Sequence, residues 1–299
     1  MPGPQIGIFT EIFTDPLIFA DKVEPFIRRD PVRCSVLATT LKGAIRRGAP
    51  AGSLWMLVRS DDATPTGADV VLAGMLTPPF GLWLAPIHGA HPERALEMLA
   101  RELLNRAGGP GTALPGVVGV VGSATPFARL WHELTGRRPR VTMSTRMFEL
   151  TELSEPVGVP GRARPAGGGD VDLCVRWLEA FRAEAVPGEP GSDVQTLVQR
   201  RIEHGALTLW EDGGRPVSLA GTSTVVAGVA RIGPVYTPIE HRRHGYGAAV
   251  TAAATRAGLA AGAQRCMLFT DQANPTSNAL YPRLGYRPVG DALTYAFPP

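Results

Sequence analysis

The stretch Gly233-Pro-Val-Tyr-Thr-Pro-Ile-Glu-His-Arg-Arg-His-Gly-Tyr-Gly-Ala-Ala-Val250 decides how this chain reads. An apolar run at 229–236 has the character of a strand and stops at Pro238. A polar, basic turn follows. The chain then enters an Ala-rich segment from Gly245 to Gly262 that contains no proline, so a helix is expected there. The glycines therefore sit where a strand hands over to a helix N-terminus. Backbone N–H groups without intrahelical partners and the positive end of the helix dipole make such a place an anion site. Gly245 and Gly247 let an anion approach the backbone with no Cβ in the way. Arg242 and Arg243 add positive charge, and His244, Tyr246 and Ala248 complete a loop fit for a pyrophosphate. The bland alternative is a tight strand-to-helix turn. Neither the G-x-G-x-x-G dinucleotide fingerprint nor a Walker loop is present: Gly247 leads into Ala-Ala-Val-Thr, and the chain has no Lys after Lys42.

Further on, an apolar run at 266–270 reads as a buried strand. It is followed by Asp271-Gln-Ala-Asn-Pro-Thr-Ser-Asn-Ala-Leu-Tyr-Pro-Arg-Leu-Gly-Tyr286. Together the two stretches resemble the GNAT superfamily of acyl-CoA-dependent N-acyltransferases. Arg242-x-x-Gly245-x-Gly247 is similar to that family's pyrophosphate motif. Asn274-x-x-Ser277-x-x-Leu280-Tyr281-x-x-Leu284-Gly285-Tyr286 is similar to its second CoA-side motif, and Val235-Tyr236-Thr237-Pro238 to the strand end that borders the thioester. The resemblance covers the last third of the chain. It implies acetyl-CoA as co-substrate, no metal, and an α/β fold with a mostly antiparallel mixed sheet flanked by helices. It also implies Tyr281 as general acid, Asn274 and Ser277 beside the pantetheine arm, and backbone contacts from Val235, Tyr236 and Thr237.

Composition sets the bounds. At 299 residues, with 44% hydrophobic and 19% charged, the chain has room for two ordinary domains. A net charge of +3 without a long basic block gives no nucleic-acid surface. No signal peptide and no bilayer-length apolar run stand out, so a cytoplasmic protein with no membrane partner is expected. Cys34, Cys174 and Cys266 are far apart and in apolar surroundings, and read as buried free thiols.

In chain order, a short apolar start (residues 6–10) precedes Asp30-Pro31, which reads as an N-cap with proline at the first helical position of a helix to about Arg47. Strands are expected at 53–59 and 68–84, the second broken near Pro78-Pro79. A helix from Pro92, a strand at 114–121, a helix at 127–134 and a strand at 141–150 follow. Residues 154–169 are rich in Pro and Gly and read as a linker. Helices at 170–185 and 194–203 then lead into a meander at 206–211, 216–226 and 229–236, turned at Asp212-Gly213-Gly214. The order of the first half repeats in the second. We therefore expect two domains of one architecture, 1–153 and 170–299, the first a degenerate copy.

The degeneracy has a residue-level basis. Leu130-Trp131-His-Glu-Leu134-Thr-Gly136 echoes Leu280-Tyr281-Pro-Arg-Leu284-Gly285, and an indole N–H is not a usable acid. The segment Trp83 to Pro92 stands where the arginine-rich turn should be, and Pro92 lacks the N–H a phosphate needs. The first domain is thus not expected to bind CoA. Gly116, Gly119 and Gly122 lie in a Val-rich run and point to close backbone packing.

Amine attack on a thioester needs a held pantetheine arm, a donor for the oxyanion and a proton for the departing thiolate. Tyr281 suits the last task, with a packing ring as the plainer reading; Asn274 reads equally as an N-cap. The base is missing. Many family members place a Glu on the strand before the loop, but 229–236 carries no carboxylate. Glu184 and Glu179 are the nearest carboxylates by topology, although solvated helix-face charges are the plainer reading. The expected activity is N-acetyl transfer to a small-molecule or protein amine, by a monomer or homodimer. The alternatives are a non-catalytic acyl-CoA sensor or scaffold and, more remotely, a nucleotide-binding module.

Overall fold

The computed structural model describes residues 7–61, 69–89, 91–106, 114–187 and 193–298. Two compact units divide it: Met1–Thr145 with Asp291–Pro299, and Arg146–Gly290. Each is a mixed sheet flanked by helices.

In the first unit β1 (Ile8–Phe13), β2 (Leu54–Ser60), β3 (Asp69–Leu76), β4 (Leu82–Leu84) and β5 (Gly116–Val120) pair in that order, ending on β12 (Tyr286–Ala296). Among the described residues of this unit only β4–β5 is parallel. The strands β2 and β3 are almost wholly apolar and buried, as strands covered on both faces must be. The helices are α1 (Pro16–Arg29), α2 (Ser35–Arg47), α3 (Pro92–Arg106) and α4 (Val121–Thr135). Leu96, Leu99, Ala100 and Leu103 of α3 meet Phe127 and Trp131 of α4 in one core. Trp131 stacks between Phe127 and Phe297 at 5.7 and 6.2 Å between centroids, and its indole N–H finds no acceptor among the described residues.

Three expectations change here. The Asp-Pro signal that opens a helix is at Asp15-Pro16, where the Asp15 carboxylate accepts from the Leu17 N–H. At Asp30-Pro31 the same pair instead closes a turn: Asp30 accepts from the Arg33 N–H, and helix α2 begins only at Ser35. Gly122 lies in the first turn of α4, not in the strand, and a Cβ there would meet nothing. Gly116 and Gly119 do pack closely. A Cβ on Gly116 would fall 2.1 Å from the Tyr295 carbonyl oxygen, and one on Gly119 2.5 Å from that of Leu84. Strand β12 thus lies against β5, pairing Ala292–Ala296 with Val120–Gly116, and the last residues group with the first unit. Ile6, the first residue of the apolar start, and Ala68, placed in a strand from the sequence, lie outside the described residues.

In the second unit the order is β12, β6 (Arg140–Leu150), β11 (Arg265–Asp271), β10 (Val229–Tyr236), β9 (Arg215–Thr222), β8 (Leu207–Asp212) and β7 (Arg162–Pro165), with β6 and β12 contributing residues 146–150 and 286–290. Its helices are α5 (Val171–Ala185), α6 (Val194–Glu203), α7 (Tyr246–Ala260) and α8 (Pro275–Arg283). The stretch read as a linker is partly structured. Residues Arg162–Pro165 pair antiparallel with β8, and Arg164 forks onto Asp170 at 2.6 and 2.8 Å while also reaching Glu211 at 2.6 Å. One sheet face packs α7 and α8 over Ala230, Ile232, Cys266 and Leu268; the other packs α5 and α6 over Leu207, Leu209 and Leu219. The three cysteines are buried and free. Burial pushes the thiols of Cys34 and Cys174 up to about 12 and that of Cys266 up to about 11. Among the described residues no helix is long and apolar enough to cross a membrane.

Candidate active site

The site grows from a seam that opens. Strands β10 and β11 run parallel but pair only at Val229–Arg231 with Arg265–Met267; beyond that, no pairing across this seam is present among the described residues. On its other side β10 slips register against β9 between Ile232 and Val235, then resumes with Val235 opposite Ala220 and Tyr236 opposite Leu219. A bulge of this kind inserts a residue, kinks the strand and flips the alternation of side chains. Val235 accordingly turns to the α7–α8 core, and Tyr236 turns to α5. The Ser218 hydroxyl donates to the Tyr236 carbonyl at 3.0 Å and meets the Thr237 hydroxyl at 2.8 Å, which fixes the strand end.

Past Pro238 the chain makes a short 3-10 turn (Ile239–His241) and reaches α7 through residues with unusual backbone. Arg243 at φ 68° and Gly245 at φ 84° are both left-handed, and Gly245 is the N-cap of α7. A left-handed residue alternating with right-handed neighbours makes a concave nest of N–H groups. The N–H groups of residues 243–247 donate to no acceptor among the described residues, whereas those of Ala248 and Ala249 turn back to the Gly245 carbonyl. Residues 242–245 are exposed. A Cβ at Gly247 would stand 3.4 Å from the Thr237 hydroxyl, an ordinary contact. The donor set therefore fits a diphosphate.

The two arginines divide their work. Arg242 donates from Nε to the Thr237 carbonyl at 2.9 Å and from a terminal nitrogen to Glu184 at 2.6 Å. Arg243 has no partner among the described residues and is the loop's spare cation. His244 is exposed and stacks its ring on Tyr246 at 5.5 Å. Tyr246 in turn donates its hydroxyl to Asp212, which pins the start of α7 to the β8–β9 hairpin.

On the far wall of the seam α8 begins at Asn274, whose side-chain oxygen accepts from the Ser277 N–H at 3.1 Å. That is the N-cap reading, and it leaves the Asn274 amide NH2 without a partner among the described residues. Tyr281, one helical turn past Ser277, is buried against Phe148 and Tyr286 at 6.0 and 6.2 Å. Its phenol hydrogen-bonds Ser277, and burial pushes its pKa up to about 12. So Val235 to Ala248 border one side of the seam, and Asn274, Ser277 and Tyr281 sit on the helix that follows the other.

Residues 174–286 match the acetyltransferase (GNAT) family. Solved structures extend the likeness over the whole chain. A GCN5-related N-acetyltransferase from Sphaerobacter thermophilus is 18% identical, with a TM-score of 0.59 over 98% of this chain and 96% of that one. One from Kribbella flavida is 19% identical, with a TM-score of 0.52 over 90% and 96%. A tandem GNAT protein from the clavulanic acid biosynthesis pathway is 14% identical, with a TM-score of 0.54 over 99% of both. At such identities the likeness speaks for the fold. No curated protein matches the sequence.

Strand β10 itself carries no carboxylate. Glu184, near the end of α5, approaches the strand instead. It accepts from the Tyr236 hydroxyl at 3.2 Å and from Arg242, and burial followed by Glu184 itself holds the Tyr236 phenol above its ordinary pKa. Glu179 makes no such contact among the described residues. No sequence spacing marked Glu184 for this, since Arg242 lies 58 residues away.

Proposed function

We propose that this protein is an N-acetyltransferase that moves an acetyl group from acetyl-CoA to an amine. The observation that carries the reading is the row of N–H groups at residues 243–247 with no acceptor among the described residues, set beside a seam whose described pairing stops at Arg231. Acetyl-CoA supplies an activated thioester. The residues of the chain do the rest. The nest and Arg243 hold the diphosphate, the free edge of β10 from Val235 to Thr237 and the Asn274 amide line the pantetheine path, and Tyr281 offers the proton that neutralises the sulfur. The first unit lacks this loop and has Trp131 and Pro92 at the corresponding places, so we assign it no acyl-donor site. The test is a thermal melt with acetyl-CoA, desulfo-CoA and ATP in parallel. A ligand at a hundred times its Kd stabilises by about 2.7 kcal/mol, which for a domain of this size raises Tm by roughly 5 to 10 °C. Shifts with both CoA compounds and none with ATP are expected; no shift with either CoA compound would end the reading.

Glu184 competes with that diphosphate for Arg242. An exposed ion pair of this kind contributes about 0.2–1 kcal/mol, so Glu184→Gln is expected to tighten desulfo-CoA binding by about 1.5- to 5-fold in a calorimetric titration. Weaker binding would show that the carboxylate holds Arg242 in place for the phosphates.

A further inference from the structure

A cation already has a seat beside the end of β10. The Arg242 guanidinium donates to Oε2 of Glu184 at 2.6 Å and lies 6.0 Å from the centre of the Tyr236 ring. Oε1 of the same carboxylate accepts from the Tyr236 hydroxyl at 3.2 Å. Trp177 continues the wall, its ring 6.4 Å from that of Tyr236 and tilted by 54°. Trp177 and Glu184 lie two helical turns apart on α5, hence on one face, and both reach Tyr236. Aromatic rings ended by a carboxylate suit an organic cation: the ring faces attract positive charge, and the carboxylate takes the hydrogen bonds of the head. The ion pair is open to water, with 40% and 51% of its two side chains exposed, so the seat can be reached from solution.

Arg242 also belongs to the loop whose N–H groups fit a diphosphate, and its Nε is anchored there on the Thr237 carbonyl at 2.9 Å. A diphosphate on that loop carries more negative charge than one carboxylate and draws the guanidinium from Glu184. An exposed ion pair resists this by a factor of only about 1.5 to 5. What remains is a carboxylate and a phenol at the strand end that borders the acyl group in the proposed reaction. An amine needs such a place. Its ammonium, with an ordinary pKa near 10.4, is almost wholly protonated at neutral pH and cannot attack until a proton leaves. Burial, then Glu184 and more weakly Glu240 of the turn after β10, hold the Tyr236 phenol above its ordinary pKa, against the opposing charge of Arg242. The phenol thus stays a neutral donor, and the carboxylate is the base of the pair.

We propose that Glu184 and Tyr236 seat the acceptor's ammonium, that Arg242 fills this seat until the donor's diphosphate draws it off, and that Glu184 then takes the ammonium proton. An N–H bond breaks and an O–H bond forms at Glu184. The freed lone pair attacks the thioester carbon, the C–S bond breaks, and Tyr281 protonates the leaving thiolate. The amide nitrogen sheds its surplus proton to water, as does Glu184, and water returns one to Tyr281, so one proton is released per turnover. The acceptor class is an alkylamine that is cationic at neutral pH, its apolar carbons against Trp177 and Tyr236.

That class rests on the N-acetyltransferase reading, but the seat has a test of its own. Melts of the full chain with ethylamine hydrochloride, against sodium chloride at equal strength, are run on the wild type, Glu184→Gln and Arg242→Gln, with and without desulfo-CoA. Ethylamine at ten times its Kd is expected to raise Tm by about 3 °C. In the wild type desulfo-CoA lowers the ethylamine Kd about 1.5- to 5-fold. Arg242→Gln shows the lower Kd without desulfo-CoA, and Glu184→Gln shows no ethylamine shift. The two variants are compared without any donor, so a missing desulfo-CoA shift ends the acyl-transfer reading and leaves the seat standing. Equal ethylamine shifts in both variants, or none in Arg242→Gln, overturn the seat whatever desulfo-CoA does. Rates test the proton step. With ethylamine and acetyl-CoA at pH 7, Glu184→Gln is expected to have a kcat/KM about 100-fold lower than the wild type. It should gain about tenfold per pH unit up to pH 9, because it depends on amine that is already neutral, whereas the wild type changes little. Parallel pH profiles, or no transfer by the wild type, overturn the proton step.

Discussion

Tyr281→Phe is expected to lower kcat about 100-fold, with little change in the KM for acetyl-CoA and a loss of about 1 kcal/mol in stability from the Ser277 hydrogen bond. The ring stays, and so does its packing against Phe148 and Tyr286. What goes is the phenolic proton of Tyr281. At first sight a phenol near 12 is a poor partner for a thiolate whose ordinary pKa is about 8.5. The same unit shows what burial does to sulfur, however: the Cys266 thiol is pushed up to about 11 by desolvation alone. A thiolate expelled into comparable surroundings is close to matched with the Tyr281 phenol, and matched partners share a proton most readily. The raised value also keeps the phenol protonated throughout the working range, so the wild-type kcat profile should show no alkaline limb from Tyr281 below about pH 10. Unchanged turnover of Tyr281→Phe at saturating amine would remove the residue from the mechanism and return it to the role of a core ring.

The second unit was the more legible half, because its signals are local and consistent. Pro238 ends a strand, Gly245 opens a helix in a left-handed conformation, and Asn274-Pro275 caps another, each decided within a few residues. The first unit shows where such signals run out. Asp15-Pro16 and Asp30-Pro31 are chemically the same start signal. Helix α1 was missed because Pro25 lies in its interior and reads as a breaker, although Phe19, Val23, Phe26 and Ile27 mark one buried face. Residues 154–169 read as a linker for a related reason. Their Pro and Gly content is real, but the pairing of Arg162–Pro165 with β8 and the Arg164 fork depend on partners as far away as Glu211.

The candidate site divides along the same line. Backbone features were legible: the loop, the N-cap and the helix carrying Tyr281 all follow from residue order. The side-chain network across elements was not. Glu184 with Arg242, Trp177 against Tyr236 at 6.4 Å, and Arg201 over Gly221 each join segments with no periodic relation. Gly221 is the instructive case, since it reads as a weak point in a strand and proves to be the space another residue's guanidinium requires.

Gly285→Ala is expected to be the most damaging single methyl in the second unit, costing about 3–5 kcal/mol and lowering Tm by roughly 10 to 15 °C. Two penalties coincide. Gly285 has φ 90°, where an L side chain is strained, and its Cβ would fall 1.7 Å from the Glu152 carbonyl oxygen, a backbone atom with no rotamer to escape through. The neighbourhood has little give. Thr151 donates to the Gly285 carbonyl from its N–H at 3.0 Å and from its hydroxyl at 2.7 Å, and the Ser154 N–H donates to the Leu284 carbonyl at 3.1 Å. Moving Glu152 aside therefore breaks the contacts that tie residues 151–154 to the end of α8, and with them the seat of Tyr286 beside Tyr281. The control is Gly213→Ala in the β8–β9 hairpin. It has φ 55° and nothing within 4 Å of the added methyl, so it meets the conformational penalty alone, about 1 kcal/mol. Denaturant titrations of the two variants separate the terms, since only the Gly285 variant carries the carbonyl collision. Equal losses would mean that left-handed strain is the whole effect and that the 151–154 segment yields to α8, in which case the position of Tyr281 does not depend on it.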